Sequence, residues 1–368
     1  MKIVITGGHH TSALPVMEEL KQRDPEVGIH WFGHKHTLLG SKSETLEYKE
    51  ITSLGVPFYD LKAGKLYKTL NLIRLLRIPY GVFQSLVLLM KIKPDVILSF
   101  GGYLAAPVVL VGWFLRIPSL THEQTVIAGY SNKFISRFTK KIMISWKESE
   151  KYFPKGKVVY TGLPLRKEVF DTSSNSFESS NNLPTIYITA GKTGSHIINE
   201  AVKEILSELL AFCNVIHQCG DNTVYNDFDE LSSIYSEIES FSEGKYYLRK
   251  FVLKDEIGKA FSKASLVVSR SGAHTVAELL ALEKPCILIP ISWVSHNEQY
   301  KNAEVLKKYG LAKIFDEKGL SSSQALLLEI RDVFQNIEKY KLSGVEKNTL
   351  VSKNSEKLIV DEIFKITK

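Results

Sequence analysis

Cysteine is scarce, with three in 368 residues: Cys213, Cys219 and Cys286. They are too few and too irregularly spaced for a disulfide framework, and no Cys-x-x-Cys or Cys/His pairing offers a structural zinc site. Such usage fits a reducing cytoplasm. No secretory leader is expected: the sequence opens on the strand-like "KIVIT", without the basic region, apolar stretch and small-residue cleavage site of such a signal. The most tempting membrane span, "VILSFGGYLAAPVVLVGWFL" at 96–115, carries no charge but is broken by Gly101, Gly102 and Pro107. Those breakers make it a buried strand, a loop and a buried helix rather than a span.

What is present is globular composition, 44% hydrophobic and 24% charged, over a length that calls for two cores. The net charge of +7 is uneven. Residues 1–165 carry 22 Lys/Arg against 12 Asp/Glu, whereas 166–368 carry 25 against 28, which leaves the halves at +10 and −3. A basic face suits nucleic acid, anionic lipid or a phosphorylated substrate. In the segment 62–93, Lys62, Lys65, Lys68, Arg74 and Arg77 interleave with Leu, Ile, Tyr and Phe, as in a helix lying at a membrane surface or a buried helix with a basic rim. No compact stacking motif accompanies these cations, which argues against nucleic acid.

Short apolar runs, each followed by a helix-like pattern, form two series. "KIVIT", "IHWFG", "DVILSF", "IPSLTHE", "KKIMIS" and "KVVYTG" come first, then "TIYITAG", "NVIHQCG", "YYLRKF", "SLVVSRSG" and "PCILIPI". Continuous apolar strands alternating with helices predict parallel sheets covered on both faces, hence an α/β chain of two doubly wound domains. The Ser/Asn-rich "DTSSNSFESSNNLP" at 171–184 marks a hinge near 163–184. We expect domains at 1–163 and 164–345, with a helix in 346–368 packing back on the first. Ligands of such sheets bind beyond the carboxyl ends of the strands, so the chemistry belongs to the strand-terminal loops.

Three of those loops stand out. "TGGHHTS" at 6–12 is a strand-to-helix turn whose glycines admit a ligand to the backbone, and whose histidines can serve as base, hydroxyl donor or plain loop residues. It has neither G-x-G-x-x-G spacing nor a G-K-[ST] ending. "ITAGKTGSH" at 188–196 repeats the arrangement with Lys192 beside the glycines, which suits an anion. "LVVSRSGAHTVAE" at 266–278 is the most informative: Ser271-Gly272 before a helix suits a diphosphate, and Glu278 along that helix suits the hydroxyls of a ribose. Asp227-Phe228-Asp229 has the form of a metal-binding Asp-x-Asp, but its acidic surroundings read as a solvated face.

"GGYLAAP" (101–107), "THEQTVIAGYSNK" (121–133), "TGLPLR" (161–166), "AGKTGSHIIN" (190–199), "SRSGAHTVAE" (269–278) and "HNEQYKNA" (296–303) occur in that order. Together they resemble the MurG family, β-N-acetylglucosaminyltransferases of peptidoglycan synthesis. The resemblance implies a GT-B fold, two Rossmann-like domains facing a central cleft, and an inverting transfer from UDP-N-acetylglucosamine to the 4-hydroxyl of the muramoyl sugar of lipid I, forming lipid II. It implies a peripheral location at the cytoplasmic face of the cell membrane, an undecaprenyl-linked acceptor, an anionic membrane surface as partner, no nucleic acid, no cofactor and no metal. It puts Arg166 near the donor, Glu278 on the ribose, Ser271, Gly272, Ala273, His274, Thr275 and Val276 at the diphosphate helix, Gln299 on the sugar, and the backbone at Val252 against the uracil. Three positions depart from the family pattern. Ser12 stands where the family has a histidine before Pro15, Thr125 replaces an Asn, and Lys192 replaces a Ser. The base is therefore assigned to His10, with His9, Ser12 and His122 as alternates, and His9, Thr11, Thr125 and Lys192 join the substrate-binding set. The rivals are a transferase with another lipid-linked or glycolipid acceptor, a nucleotide-sugar epimerase, and a non-catalytic UDP-sugar-binding partner of a cell-wall complex.

Overall fold

The computed structural model describes residues 1–36, 44–64, 72–191, 193–222, 224–293, 297–343 and 354–367. Two compact units emerge, Met1–Arg166 with Leu350–Lys368, and Lys167–Thr349. The first holds seven parallel strands, β1 (Lys2–Thr6), β2 (Gly28–Gly33), β3 (Phe58–Asp60), β4 (Val96–Ser99), β5 (Ser119–Glu123), β6 (Lys141–Ile144) and β7 (Val158–Tyr160), ordered 3-2-1-4-5-6-7. The order reverses beside β1, so the loops after β1 and β4 open at the point where such sheets take ligands. Central strands are apolar on both faces because helices cover both: Ile3 and Ile5 face one core, and Val4 and Ile97 face the other.

Helices α1 (His10–Arg23), α2 (Leu46–Ser53), α3 (Leu72–Ile92), α4 (Ala105–Phe114) and α5 (Tyr130–Ile135) follow strands of this unit. The 96–115 stretch is strand, glycine turn and helix, with Gly101 and Gly102 at φ of +81° and +77°. Among the described residues no helix is long and apolar enough to cross a membrane. Of the basic segment 62–93, Lys65 and Lys68 lie outside the described residues, as does the Arg74 side chain. The final helix, named α12 here (Ser355–Thr367), lies on α1 and sends Ile359, Val360 and Ile363 into the core beneath β1.

The second unit has six parallel strands, β8 (Thr185–Thr189), β9 (Asn214–Gln218), β10 (Tyr246–Arg249), β11 (Leu266–Ser269), β12 (Cys286–Leu288) and β13 (Ala312–Ile314), ordered 10-9-8-11-12-13. Helices α6 (His196–Leu210), α7 (Asp227–Ile238), α8 (Ile257–Lys263), α9 (Ala273–Ala281), α10 (Glu298–Lys308) and α11 (Ser323–Gln335) accompany it. Strands β3 and β13 are edge strands of three residues that no apolar run announces. The stretch 171–184 is built into this unit: Phe177 is buried against Tyr247, Ser176 bonds Glu256, and Asn181 pairs with Asn214. All three cysteines are buried free thiols, pushed up to about 12 at Cys213 and about 11 at Cys219 by desolvation.

Candidate functional site

In the second unit, β11 delivers Ser269-Arg270-Ser271-Gly272 into α9. Gly272 precedes the helix in an extended conformation (φ −64°, ψ 153°) and has no side chain to cap it, and the positive end of the helix dipole at this turn suits an anion. Beside this turn lies a cavity of ≈ 480 Å³, lined by Gly191, Thr193, Gly194, Ser195, Arg270, Gly272, Thr275, Trp293, Gln299 and Glu317 among others. That size falls in the range of roughly 300–1,000 Å³ usual for small-molecule sites.

Arg270 organises its floor. The buried guanidinium donates from Nη2 to Glu317 Oε1 (2.5 Å) and Ser195 Oγ (2.8 Å), and from Nη1 to the Ile289 carbonyl (3.1 Å). Asn302 on α10 donates to the Ser271 carbonyl at 3.2 Å and fixes the turn from behind. Gln299 accepts from the Ile291 amide (3.1 Å).

Of the residues chosen from sequence, Gly272, Thr275 and Gln299 line the cavity, while Ala273 and His274 complete the first turn of α9. Ser271, Val276 and Glu278 are buried. The Val252 amide is occupied, donating to Gln218 Oε1 at 2.9 Å, and Gln218 in turn donates to the Gly191 carbonyl at 2.7 Å. Lys192 lies outside the described residues, and Arg166 is the last residue of the first unit.

In the first unit the loop after β1 meets the loop after β4: a Cβ built on Gly8 (φ +117°) would sit 3.5 Å from the Gly101 carbonyl oxygen. His9 precedes α1 and His10 opens it. Successive helical residues turn by about 100°, so His10 and Ser12 point to nearly opposite sides. Ser12 is buried and donates to Gln124 Oε1 at 3.0 Å, whereas His10 faces α2, its Nε2 3.0 Å from Glu50 Oε2. His9 stays open to solvent, and protein around it together with the neighbouring His10 lowers its pKa. Thr11 is half-buried in the first turn.

His122 is placed differently from a base that meets an external hydroxyl. It is fully buried in β5 against Phe100, its Nε2 donates to the Gly162 carbonyl at 2.9 Å, and desolvation holds its pKa at about 4. Thr125 turns inward as well: its amide and hydroxyl both reach Glu123 Oε1, at 3.0 and 2.9 Å. Glu123, with Asn132 and the Gly129 amide on its other oxygen, organises the 123–132 loop.

Several residues of both sites carry no local signal. Arg270 and Glu317 are 47 positions apart, and Glu47 and Glu50 reach the first loop from a different βα unit. The Asp-x-Asp reading needs a correction at Asp227, which is buried, bonded to His196 Nδ1 (2.6 Å) and Asn199 (2.7 Å), and so ties α7 to α6 rather than forming a solvated face. Among the described residues His196, Glu200 and Asp227 bring ligand atoms within 4.8 Å of one another, but Lys203 already neutralises Glu200 at 2.5 Å.

The glycosyltransferase family 28 N-terminal domain matches residues 4–144, and the glycosyltransferase family 28 C-terminal domain matches 185–363. The UDP-N-acetylglucosamine--N-acetylmuramyl-(pentapeptide) pyrophosphoryl-undecaprenol N-acetylglucosamine transferase 2 of Bacillus cereus is 32% identical over 353 residues, 92% of this chain and 93% of its own. The enzyme of the same name without the numeral, from Lachnospira eligens, is 32% identical over 379 residues, 100% of this chain and 98% of its own. Among solved structures, Acinetobacter baumannii MurG superposes with a TM-score of 0.73 at 23% identity, over 99% of this chain and 100% of that one. A UDP-GlcNAc 2-epimerase from Neisseria meningitidis is also similar, with a TM-score of 0.64 at 16% identity, over 99% of this chain and 100% of that one. Matched in both units and over nearly its whole length, the chain belongs to glycosyltransferase family 28.

Proposed function

We infer that this protein is an inverting glycosyltransferase that moves N-acetylglucosamine from UDP-N-acetylglucosamine to the 4-hydroxyl of the muramoyl sugar of lipid I, producing lipid II. The names of its full-length relatives support that substrate pair. The observation that carries the reading is the Gly272 turn and the start of α9 beside a cavity of nucleotide size that Arg270 also lines. The donor's diphosphate lies over Ser271-Gly272 and the first turn of α9, where backbone amides and the helix dipole stabilise the charge that develops as UDP leaves. Gln299 meets the sugar, Glu278 meets the ribose, and the backbone at Val252 meets the uracil.

On the acceptor side His10 takes the proton of the attacking hydroxyl. Ser12, at the position of the family histidine, is turned inward onto Gln124, and His122 is sealed in the sheet, so these two alternates lose ground to His10 and to the third alternate, His9. The first unit supplies the membrane face at the cytoplasmic surface. Phe83 (63% exposed) and Phe114 (74% exposed) stand on neighbouring helices α3 and α4, and Tyr130 and Phe134 are exposed on α5, with lysines and arginines nearby in sequence.

The test is product formation from UDP-N-acetylglucosamine and lipid I. We expect UDP release matched by lipid II, with His10→Ala lowering the rate on the order of 10²-fold or more while UDP binding persists. Robust transfer to a different lipid acceptor with none to lipid I would replace the substrate assignment. Donor binding without transfer to any acceptor would make the protein a UDP-sugar-binding partner.

A further inference from the structure

We propose that Glu50 is a positioning residue for His10: from α2 it engages Nε2 of the imidazole and so presents Nδ1 to the acceptor hydroxyl. The proposal rests on the reading of His10 as the base. The two side chains are 3.0 Å apart and largely shielded, 17% and 27% exposed. The carboxylate oxygen approaches the ring nitrogen without forming an aligned hydrogen bond. The carboxylate comes from a helix that is itself fastened to the loop it serves. Thr45 caps α2 through the Tyr48 amide (3.1 Å) and donates its hydroxyl to the His34 carbonyl (2.7 Å).

Three residues before Glu50, on the same face of α2, Glu47 accepts from Trp31 Nε1 at 2.6 Å. It presses so closely on Gly7 that a Cβ there would fall 1.8 Å from its Oε1. One helix thus packs one carboxylate against the loop backbone and sets the next beside the imidazole. The charged and titratable groups facing His10 are Glu50, Glu47 and His9. In the transfer, Nδ1 accepts the hydroxyl proton, the oxygen's electron pair forms the new bond to the anomeric carbon, and the bond to the diphosphate breaks with its pair leaving on UDP. The imidazolium so formed is stabilised by the Glu50 carboxylate.

The test compares full-length wild type, Glu50→Gln, Glu50→Asp, His10→Ala and the His10→Ala/Glu50→Gln double variant with UDP-N-acetylglucosamine and lipid I. Thermal melting and UDP affinity serve as folding controls. We expect Glu50→Gln to lower kcat by about 10-fold to 100-fold with the donor KM within about twofold of wild type. Glu50→Asp should recover part of the loss. In the His10→Ala background Glu50→Gln should cost less than about threefold more, because a residue that acts through His10 has nothing left to act on. A wild-type kcat in Glu50→Gln, or an equal loss with and without His10, overturns the role of Glu50. A fully active His10→Ala overturns the assignment of the base and the role of Glu50 with it, whereas an inactive His10→Ala beside a fully active Glu50→Gln overturns the role of Glu50 alone.

Discussion

Two glycines show how the same substitution meets different resistance. At Gly194 (φ +69°) an added Cβ would lie 1.9 Å from the Cys219 carbonyl oxygen, which is backbone and cannot yield. Gly194→Ala should therefore destabilise the second unit by about 1–3 kcal/mol from backbone strain alone, read as a lower urea midpoint. At Gly7 the obstacle is the end of the Glu47 side chain, which can swing away. Gly7→Ala should cost less in stability than in turnover, since displacing Glu47 releases the loop that carries His9 and His10. Glu47 also titrates above the usual carboxylate range because burial disfavours its charge.

Two buried histidines set the acid limit. His122 sits at about 4 and His217 at about 3, both lowered by desolvation from 6.5. The unfolded chain therefore binds protons on both between pH 6.5 and 4 while the folded chain does not, so stability is complete above 6.5 and lost as pH falls through that window. Each histidine contributes a slope of up to about 1.4 kcal/mol per pH unit. A His217→Gln variant, less stable at pH 7 because the bonds to Tyr246 and Asn199 are disturbed, should lose less than wild type on going to pH 4.5 in urea unfolding.

Among elements, α12 is the one whose place depends most on distant chain. Its apolar face joins the core of α1 and β1, and Arg23 on α1 reaches Asp361. Ile363 is fully buried there, so Ile363→Ala should cost about 2–5 kcal/mol in the unfolding of the first unit, through lost transfer energy and a residual cavity. Helix α9 is the contrasting case: Gly272 before it has no side chain to cap it, and its start opens beside the cavity proposed above for the donor.

At the scale of the molecule, the imbalance of charge between the two halves is the property with the clearest consequence. If the first unit meets anionic lipid, as proposed, binding to vesicles containing anionic phospholipid should be strong near 50 mM salt and fall steeply by 500 mM, since the Debye length shrinks from roughly 14 Å toward 4 Å. Replacing Phe83 and Phe114 by serine should weaken the binding without altering UDP affinity in solution, as neither ring lies in the unit that holds the cavity. Vesicle co-sedimentation of wild type and the double variant checks both expectations.

The sequence by itself determined the α/β class, eleven of the thirteen strands among the described residues, the glycine turns that end them and the family, because alternation of apolar runs with helical patterns and loop motifs are local properties of the chain. The edge strands β3 and β13 escaped because three residues, most of them only half-buried, leave no apolar run, and their pairing comes from the neighbouring strand. Only the tertiary structure decided which side chains of those loops face outward. Ser12 and His122 turn into the sheet while His10 turns to Glu50, Arg270 is paired with Glu317, and Asp227 is buried under α6. These outcomes depend on helix phase and on partners dozens of residues away, and pairings at such separation are created by packing rather than by any pattern readable along the chain.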